Sequence, residues 1–477
     1  MNENIKIAVV GMGDAFSRYY KEVLFKIHSD NPDCEIYCAD KTLRKGDIFD
    51  QENFEKQKKL QNKIENILQK DNVFFVDVAN LNDRRVNLSE PFSDWIIEKD
   101  FDLIIIGTPP EYHIQNVLEW IKSTFSIMLV EKPFTDDSEK IDSLLNYPNE
   151  EKVEKVMGFS HVRAKIHRNF EHPDFLKRIE KVIGEITKFR FFYLEDYSGT
   201  DKEYVEKSLS EGKQINPDRN CPVLIPGRID ALKEGIVFDL GIHMLSVLDY
   251  FMLLGSLKLK RIWAGKYGGV DYVKDKELDI EYETFAAIKF TFLNKKGNPV
   301  SGETFLGKGI LGIDKNNDFG LDLNNSELGE VKIFELEGDK GKKIQFFFTR
   351  RRHSDKNEML RVIIDGELLK PEAHKIKFEL EEKPYSYIFE KALEKRESDK
   401  EEIELFFSAN TAQSHLNILK EIRDKIEEGR AKRGGKYPKY YLGDREGAKY
   451  SGEIIERCKP LHKIMEKFKP IWKDSEK

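Results

Sequence analysis

Six short apolar runs, at residues 5–10, 35–39, 73–78, 103–106, 127–130 and 155–158, are spaced by longer amphipathic stretches. That alternation is the pattern of βαβ units. Parallel neighbours need a crossover connection, and helices on both faces leave the strands apolar throughout. The first 160 residues are therefore expected to form an α/β domain of the Rossmann type with a parallel sheet. Between the second and third strands, residues 50–70 are rich in Lys, Glu and Gln, with apolar Phe54, Leu60, Ile64, Ile67 and Leu68. This reads as an extra surface helix.

Beyond Gly184 the texture changes. Residues 185–194, 258–264, 284–292, 302–311, 331–336 and 343–348 read as strands without regular helices between them, so an α+β domain with a largely antiparallel, open sheet is expected. Helices are expected at 235–254, 385–393 and 401–428. The division that follows is 1–160 for the first domain, 161–428 for the second, and 429–477 for a tail. The tail has a short helical piece at 452–468 and is expected to wrap the body or a partner subunit.

Charge excludes some partners. The chain has 79 Lys and Arg against 86 Asp and Glu, a net charge of −7, and lacks the basic field that draws proteins to nucleic acid or anionic lipid. Tyr440 and Tyr441 beside basic residues can stack on bases, but without a recognition fold no nucleic-acid partner is expected. Cys34, Cys38, Cys221 and Cys458 are too scattered for a disulfide framework or a zinc site, and no metal is expected. The first apolar run is much shorter than a membrane span, and a cytoplasmic protein with no membrane partner is the expectation.

The first strand ends in Gly11-Met12-Gly13-Asp14-Ala15, followed by an expected helix at 17–28. Two close glycines let the backbone approach a pyrophosphate, whose charge is met by helix N-terminal amides. Phe16 stands where a third glycine is usual, and a plain tight turn explains the pair equally well. Asp40 ends the second strand, where a carboxylate can accept from the adenosine ribose hydroxyls, which favours NAD. The adjoining Lys41 and Arg44 can instead hold a 2′-phosphate, so NADP stays open. Strand four runs into Thr108-Pro109 and, four residues on, His113; strand five runs into Glu131-Lys132-Pro133. Both follow carboxyl ends of strands, where open α/β sheets bind ligands.

In this combination the sequence resembles the Gfo/Idh/MocA family of oxidoreductases, whose members carry a T-P-x-x-x-H segment and an E-K-P motif at these places. The resemblance covers about residues 5–255 and recurs in the helix 401–420. It implies a nicotinamide cofactor held by Gly11, Met12, Gly13, Asp14, Ala15, Asp40, Lys41, Thr108, Pro109, His113, Glu131 and Lys132. It also implies a lysine, Lys132, that hydrogen-bonds the reacting oxygen.

Oxidising a secondary alcohol needs a base and a group that stabilises the developing alkoxide. Asp239 and His243, four residues apart, share one face of the expected helix 235–254. On their own they are as easily a polar face with a core histidine. By resemblance they correspond to a substrate-binding Asp and a general acid/base His. His161 and Arg163 resemble substrate contacts, with His161 where the family often has Asn, and Arg163 is equally an arginine pairing an acid. Tyr193 and Arg228 are further candidates, and the basic run Arg350-Arg351-Arg352-His353 reads as a solvated strand end or a phosphate contact.

The resulting expectation is hydride transfer between a nicotinamide and a sugar, cyclitol or related polyol, in a homo-oligomer, dimer or tetramer. Two rivals keep part of this: a redox-neutral NAD-dependent glycosidase or epimerase, and a non-catalytic dinucleotide-responsive regulatory protein.

Overall fold

Every residue of the strands Leu103–Ile106 and Ile127–Val130 is buried, which is why these segments are apolar without alternation. The structure is a computed structural model. It describes residues 5–11, 16–39, 73–76, 100–124, 126–170, 179–196, 235–267, 272–273, 276–277, 283, 285–311, 328–351, 358–365, 367–368, 384–397, 405–432, 434–435 and 439–440. The chain divides into two units, Met1–Glu171 with Glu382–Asn417 and His172–Glu381 with Ile418–Lys477.

The first unit is built on β1 (Lys6–Val10), β2 (Glu35–Ala39), β3 (Val73–Val76), β4 (Leu103–Ile106), β5 (Ile127–Val130) and β6 (Val156–Gly158). All six pair in parallel, in the spatial order β3-β2-β1-β4-β5-β6. That is the order of doubly wound dinucleotide-binding sheets, which bind ligands beyond the carboxyl ends of the strands where the order reverses. Here the reversal lies between β1 and β4.

The helices around it have local causes. A π-helical turn, Phe16–Tyr20, leads into α1 (Lys21–Asp30), where a continuous α-helix was expected. Pro110, a residue suited to the first helical position, opens α2 (Pro110–Ser123). Asp137 caps α3 (Ser138–Leu145), accepting from the Glu139 amide at 3.0 Å. Asn149 caps α4 (Glu150–Glu154) through the Lys152 amide. His161–Phe170 forms α5.

The second unit holds the long strands β7 (Ile186–Asp196) and β8 (Met252–Tyr267), with α6 (Gly235–Phe251) between them. A small ribbon, β9 (Tyr272–Val273) and β10 (Lys276–Glu277), comes next. Then follow β11 (Phe285–Asn294), β12 (Pro299–Leu311), β13 (Leu328–Gly338), β14 (Lys343–Arg351), β15 (Glu358–Ile364) and β16 (Glu367–Leu368). Of the elements that follow, α7 (Pro384–Glu397) and β17 (Phe407–Ser408) belong to the first unit, α8 (Ala409–Ala431) crosses the division at 417/418, and β18 (Lys439–Tyr440) belongs to the second. The larger sheet runs β16-β15-β14-β13-β7-β12-β11-β8-β18 and is mostly antiparallel, the pairs β7·β12 and β8·β18 excepted.

Alternation sorts its two faces. Phe189, Phe191 and Tyr193 of β7 stand beside Leu336, Phe334 and Lys332 of β13 on one face. On that face Phe334 stacks on Phe251 of α6, ring centroids 5.4 Å apart. The other face carries Arg190 between Glu303 at 3.8 Å and Glu335, whose carboxylate also accepts from Gln345.

Several boundaries depart from expectation. Helix α6 stops at Phe251 because Met252 already pairs with Asn294 of β11. The helix expected at 401–428 starts only at Ala409, since Phe407 and Ser408 pair antiparallel with β6. The helices expected at 50–70 and 452–468 lie outside the described residues. Among the described residues no helix is long and apolar enough to cross a membrane, and no group of His, Cys, Asp and Glu is placed to hold a metal ion.

Strands β1 and β4 end almost in contact. Gly11 has φ +96°, and a Cβ there would lie 2.7 Å from the Thr108 nitrogen and 2.8 Å from the Gly107 carbonyl. Gly11→Ala is expected to destabilise the protein by at least about 1–2 kcal/mol, from the left-handed backbone alone. Urea unfolding measures this, and an unchanged midpoint would refute the close approach.

Candidate functional site

In the first unit the segments after β1, β4 and β5 are tied into one cluster. The Gly107 amide donates to Val10 and the Glu131 amide to Ile106, at 2.8 and 3.0 Å, continuing the strand ladders into the loops. His113, on the first turn of α2, is fully buried. Its Nε2 lies 2.5 Å from the Thr108 carbonyl, and its Nδ1 lies 3.0 Å from that of Pro133 and 3.3 Å from that of Phe134. Burial pushes the imidazole down to about 4, against those carbonyls, so it is neutral at physiological pH. A neutral imidazole donates from one nitrogen only, so His113 hydrogen-bonds to either the Thr108 side or the Pro133 side while packed between the two loops; the Lys132-Pro133 peptide is cis. Asn116, one turn on, donates to the Thr108 hydroxyl at 2.9 Å.

Glu131 is fixed from two sides. One carboxylate oxygen accepts from the Lys132 amide at 3.0 Å, and the other accepts from the Tyr20 hydroxyl. Tyr20 ends the π-helical turn and lies against Gly107. Burial, reinforced by the Glu131 charge, raises its hydroxyl well above the usual tyrosine range, so it remains a neutral donor. Sequence reasoning missed Tyr20, because nothing in its spacing shows that a π-helical turn aims it at Glu131. Such turns recur at functional sites.

Gly11, Thr108, Pro109, His113, Glu131 and Lys132 are thereby brought to one end of the sheet. Met12, Gly13, Asp14, Ala15, Asp40 and Lys41 lie outside the described residues. His161 and Arg163 open α5. His161 is half-buried, its ring 6.4 Å from that of Tyr385 in α7, whereas Arg163 is buried within the first unit. Arg228 lies outside the described residues, as do Arg352 and His353.

In the second unit, residues 235–248 of α6 are buried without interruption, as expected of a helix apolar on all sides. Asp239 and His243 are polar exceptions, 6% and 0% exposed. The Tyr193 ring lies 5.4 Å from that of His243, and the Lys332 ammonium sits 4.8 Å from the Tyr193 ring centroid. Lys332 was not anticipated. It follows the apolar Val331 in a strand, and only the pairing of β13 with β7 sets it opposite Tyr193.

The N-terminus of α6 is held by a buried carboxylate. Glu283 accepts from the Val237 amide at 3.4 Å and from the Arg423 guanidinium of α8 at 3.0 Å. Gly235 has φ +78°, and a Cβ there would lie 2.3 Å from the same carboxylate. The helix carrying Asp239 and His243 is therefore anchored by an acid about one turn before Asp239.

No family model matches the chain, and no curated protein sequence does. Solved structures do. An oxidoreductase from Thermotoga maritima is 14% identical, with a TM-score of 0.51 over 88% of this chain and 96% of that one. An aldose-aldose oxidoreductase from Caulobacter crescentus, complexed with glycerol, is 14% identical, with a TM-score of 0.53 over 90% and 99%. A glucose-6-phosphate dehydrogenase in complex with glucose-6-phosphate is 14% identical, with a TM-score of 0.55 over 92% and 94%. The chain has the fold of Gfo/Idh/MocA-type oxidoreductases. The parallel first sheet and the largely antiparallel second sheet, expected from sequence, are both present in it.

Burial pushes the Glu283 carboxyl up to about 7, against the pull of Arg423. The ordinary value is about 4.3, so the folded state holds an extra proton between the two. That contribution to stability is full below about pH 4 and is lost as pH rises through 7. Its size is on the order of 3 kcal/mol. Melting from pH 4 to 8 is expected to show Glu283→Gln losing less stability than wild type, and parallel curves would count against it.

Proposed function

We propose that this protein is a nicotinamide-dependent oxidoreductase that moves a hydride between the cofactor and a secondary alcohol or ketone of a sugar, cyclitol or related polyol. The observation that carries the reading is the cluster at the switch point of the parallel sheet. There Gly11 leaves room that a Cβ would fill, and Glu131-Lys132 is held beside it by Tyr20 and His113.

The residues present fit a dinucleotide. Backbone without side-chain bulk at Gly11 and Gly13 suits close approach by a pyrophosphate. Asp40 is assigned to the ribose hydroxyls, which makes NAD the preferred cofactor, with NADP admitted through Lys41. The bound nicotinamide supplies the hydride acceptor or donor. Lys132 is assigned to the reacting oxygen, as a cation that stabilises developing alkoxide charge. His243 is assigned to the hydroxyl proton, which an imidazole can take and return near neutrality. Asp239, one turn earlier on α6, is assigned to the substrate and the imidazole. His161 and Arg163 are assigned to substrate as well.

The solved structures sharing this fold support the choice of substrate class. One is named for reaction between aldoses and another holds glucose-6-phosphate. A homo-oligomer, dimer or tetramer, is part of the same reading, and light scattering at the monomer mass would contradict it.

Titration with NADH and NADPH, followed by nicotinamide fluorescence, is expected to saturate with a preference for NADH. In a polyol screen, Lys132→Ala and His243→Ala are expected to keep that binding while lowering turnover by about 10²–10⁴-fold each, the usual range for lost acid-base assistance. Wild-type turnover in both variants would remove the assignment. No dinucleotide binding by the folded protein would remove hydride transfer altogether.

A further inference from the structure

Lys332 is the exception on an aromatic sheet face. It is 1% exposed and pairs in register with Tyr193 of β7 on one side and Phe348 of β14 on the other. The next residue of β13 on the same face is Phe334, also buried. An apolar side chain at 332 would continue this row without taking a charge out of water, a step that is costly in a protein interior. The ammonium lies over the Tyr193 ring, whose centroid is also 5.4 Å from that of the His243 imidazole. Cation, aromatic ring and imidazole are therefore neighbours inside the second unit, with buried Asp239 one turn before His243 on the same helix. His243 is as deeply buried as Lys332, so any ligand that reaches the imidazole enters the surroundings of the ammonium too.

We propose that Lys332 is the anion-binding residue of the Asp239–His243 site, and that its ligand is a polyol carrying an oxyanion, a phosphate or a carboxylate. The inference deepens the hydride-transfer reading by naming the substrate class, and rests on it only for calling that ligand the substrate. A lysine ammonium makes short, charge-assisted hydrogen bonds to such oxygens, and they are strongest where water is excluded. The two separations, 4.8 Å from ammonium to tyrosine ring and 5.4 Å from tyrosine ring to imidazole, keep both groups within the span of a hexose and one charged substituent. Lys332 thus determines specificity, discriminating charged from neutral polyols, while the proton is handled at His243.

The test is calorimetric binding to the full chain in the presence of NAD, with glucose, glucose 6-phosphate, glucuronate and inorganic phosphate as probes. Wild type is expected to bind glucose 6-phosphate or glucuronate at least ten-fold more tightly than glucose, and the stronger of the two identifies the oxyanion. Lys332→Met, which keeps length and apolar volume, is expected to bring charged and neutral sugars within two-fold of each other. Lys332→Arg is expected to keep the preference, which a purely structural lysine would not require. Equal binding of glucose and both charged sugars by wild type overturns the inference, as does a preference surviving in Lys332→Met, or no binding of any anionic probe. Should the methionine variant fail to fold, Lys332→Gln carries the same comparison. NADH titration separates this outcome from that of hydride transfer. Dinucleotide binding without oxyanion preference leaves hydride transfer standing, and oxyanion preference without dinucleotide binding leaves only the anion site.

Discussion

The near-contact of two strand ends governs the first unit. With β1 and β4 adjacent at the centre of the parallel sheet, their carboxyl ends meet at Gly11 and Gly107-Thr108, and no side chain fits between. The loops after β4 and β5 are then stacked on that point. Tyr20 presses on Gly107 and holds Glu131, and the neutral His113 packs between Thr108 and Pro133-Phe134, donating to one side only. These hydrogen bonds are made away from water, so a donor left without its partner would cost more than the bond contributes. The result is a rigid platform at the place where a doubly wound sheet binds its ligand.

The second unit solves a different problem, which is to hold polar groups inside an apolar layer. Helix α6 is buried along residues 235–248 and can carry Asp239 and His243 only because other polar groups surround or anchor them. Glu283 and Arg423 secure its first turn, while Tyr193 and Lys332 stand on the sheet face against His243. Buried charge is poor evidence of added stability, since desolvation offsets much of the attraction. Its recurrence along one helix therefore points to chemistry rather than to packing.

Much of this was legible beforehand. Leu103–Ile106 and Ile127–Val130 begin and end where their apolar runs do, because burial on both faces writes itself into every residue of a short strand. Gly11, Glu131-Lys132 and the Asp239/His243 pair are singled out by their resemblance to a family's motifs, since their spacing alone fits a tight turn and a polar helix face as well. Less legible were the elements set by partners far along the chain. Phe407 and Ser408 read as the start of a helix, yet they extend the first sheet by pairing with β6. Glu358–Ile364 was not among the expected strands, yet it forms β15 against β14.

Local periodicity and composition alone determined the two sheets, the order of most strands and helices, and which glycines and polar residues are out of place. These depend on neighbours within a few residues, whose burial repeats with the period of the backbone. Tertiary structure decided which exceptional residues meet. Tyr20 reaches Glu131 across 111 positions, Arg423 reaches Glu283 across 140, and Lys332 comes to Tyr193 through strand register. Such encounters follow from pairing and packing between distant segments, and a one-residue change of register would turn Lys332 to the opposite face of its sheet.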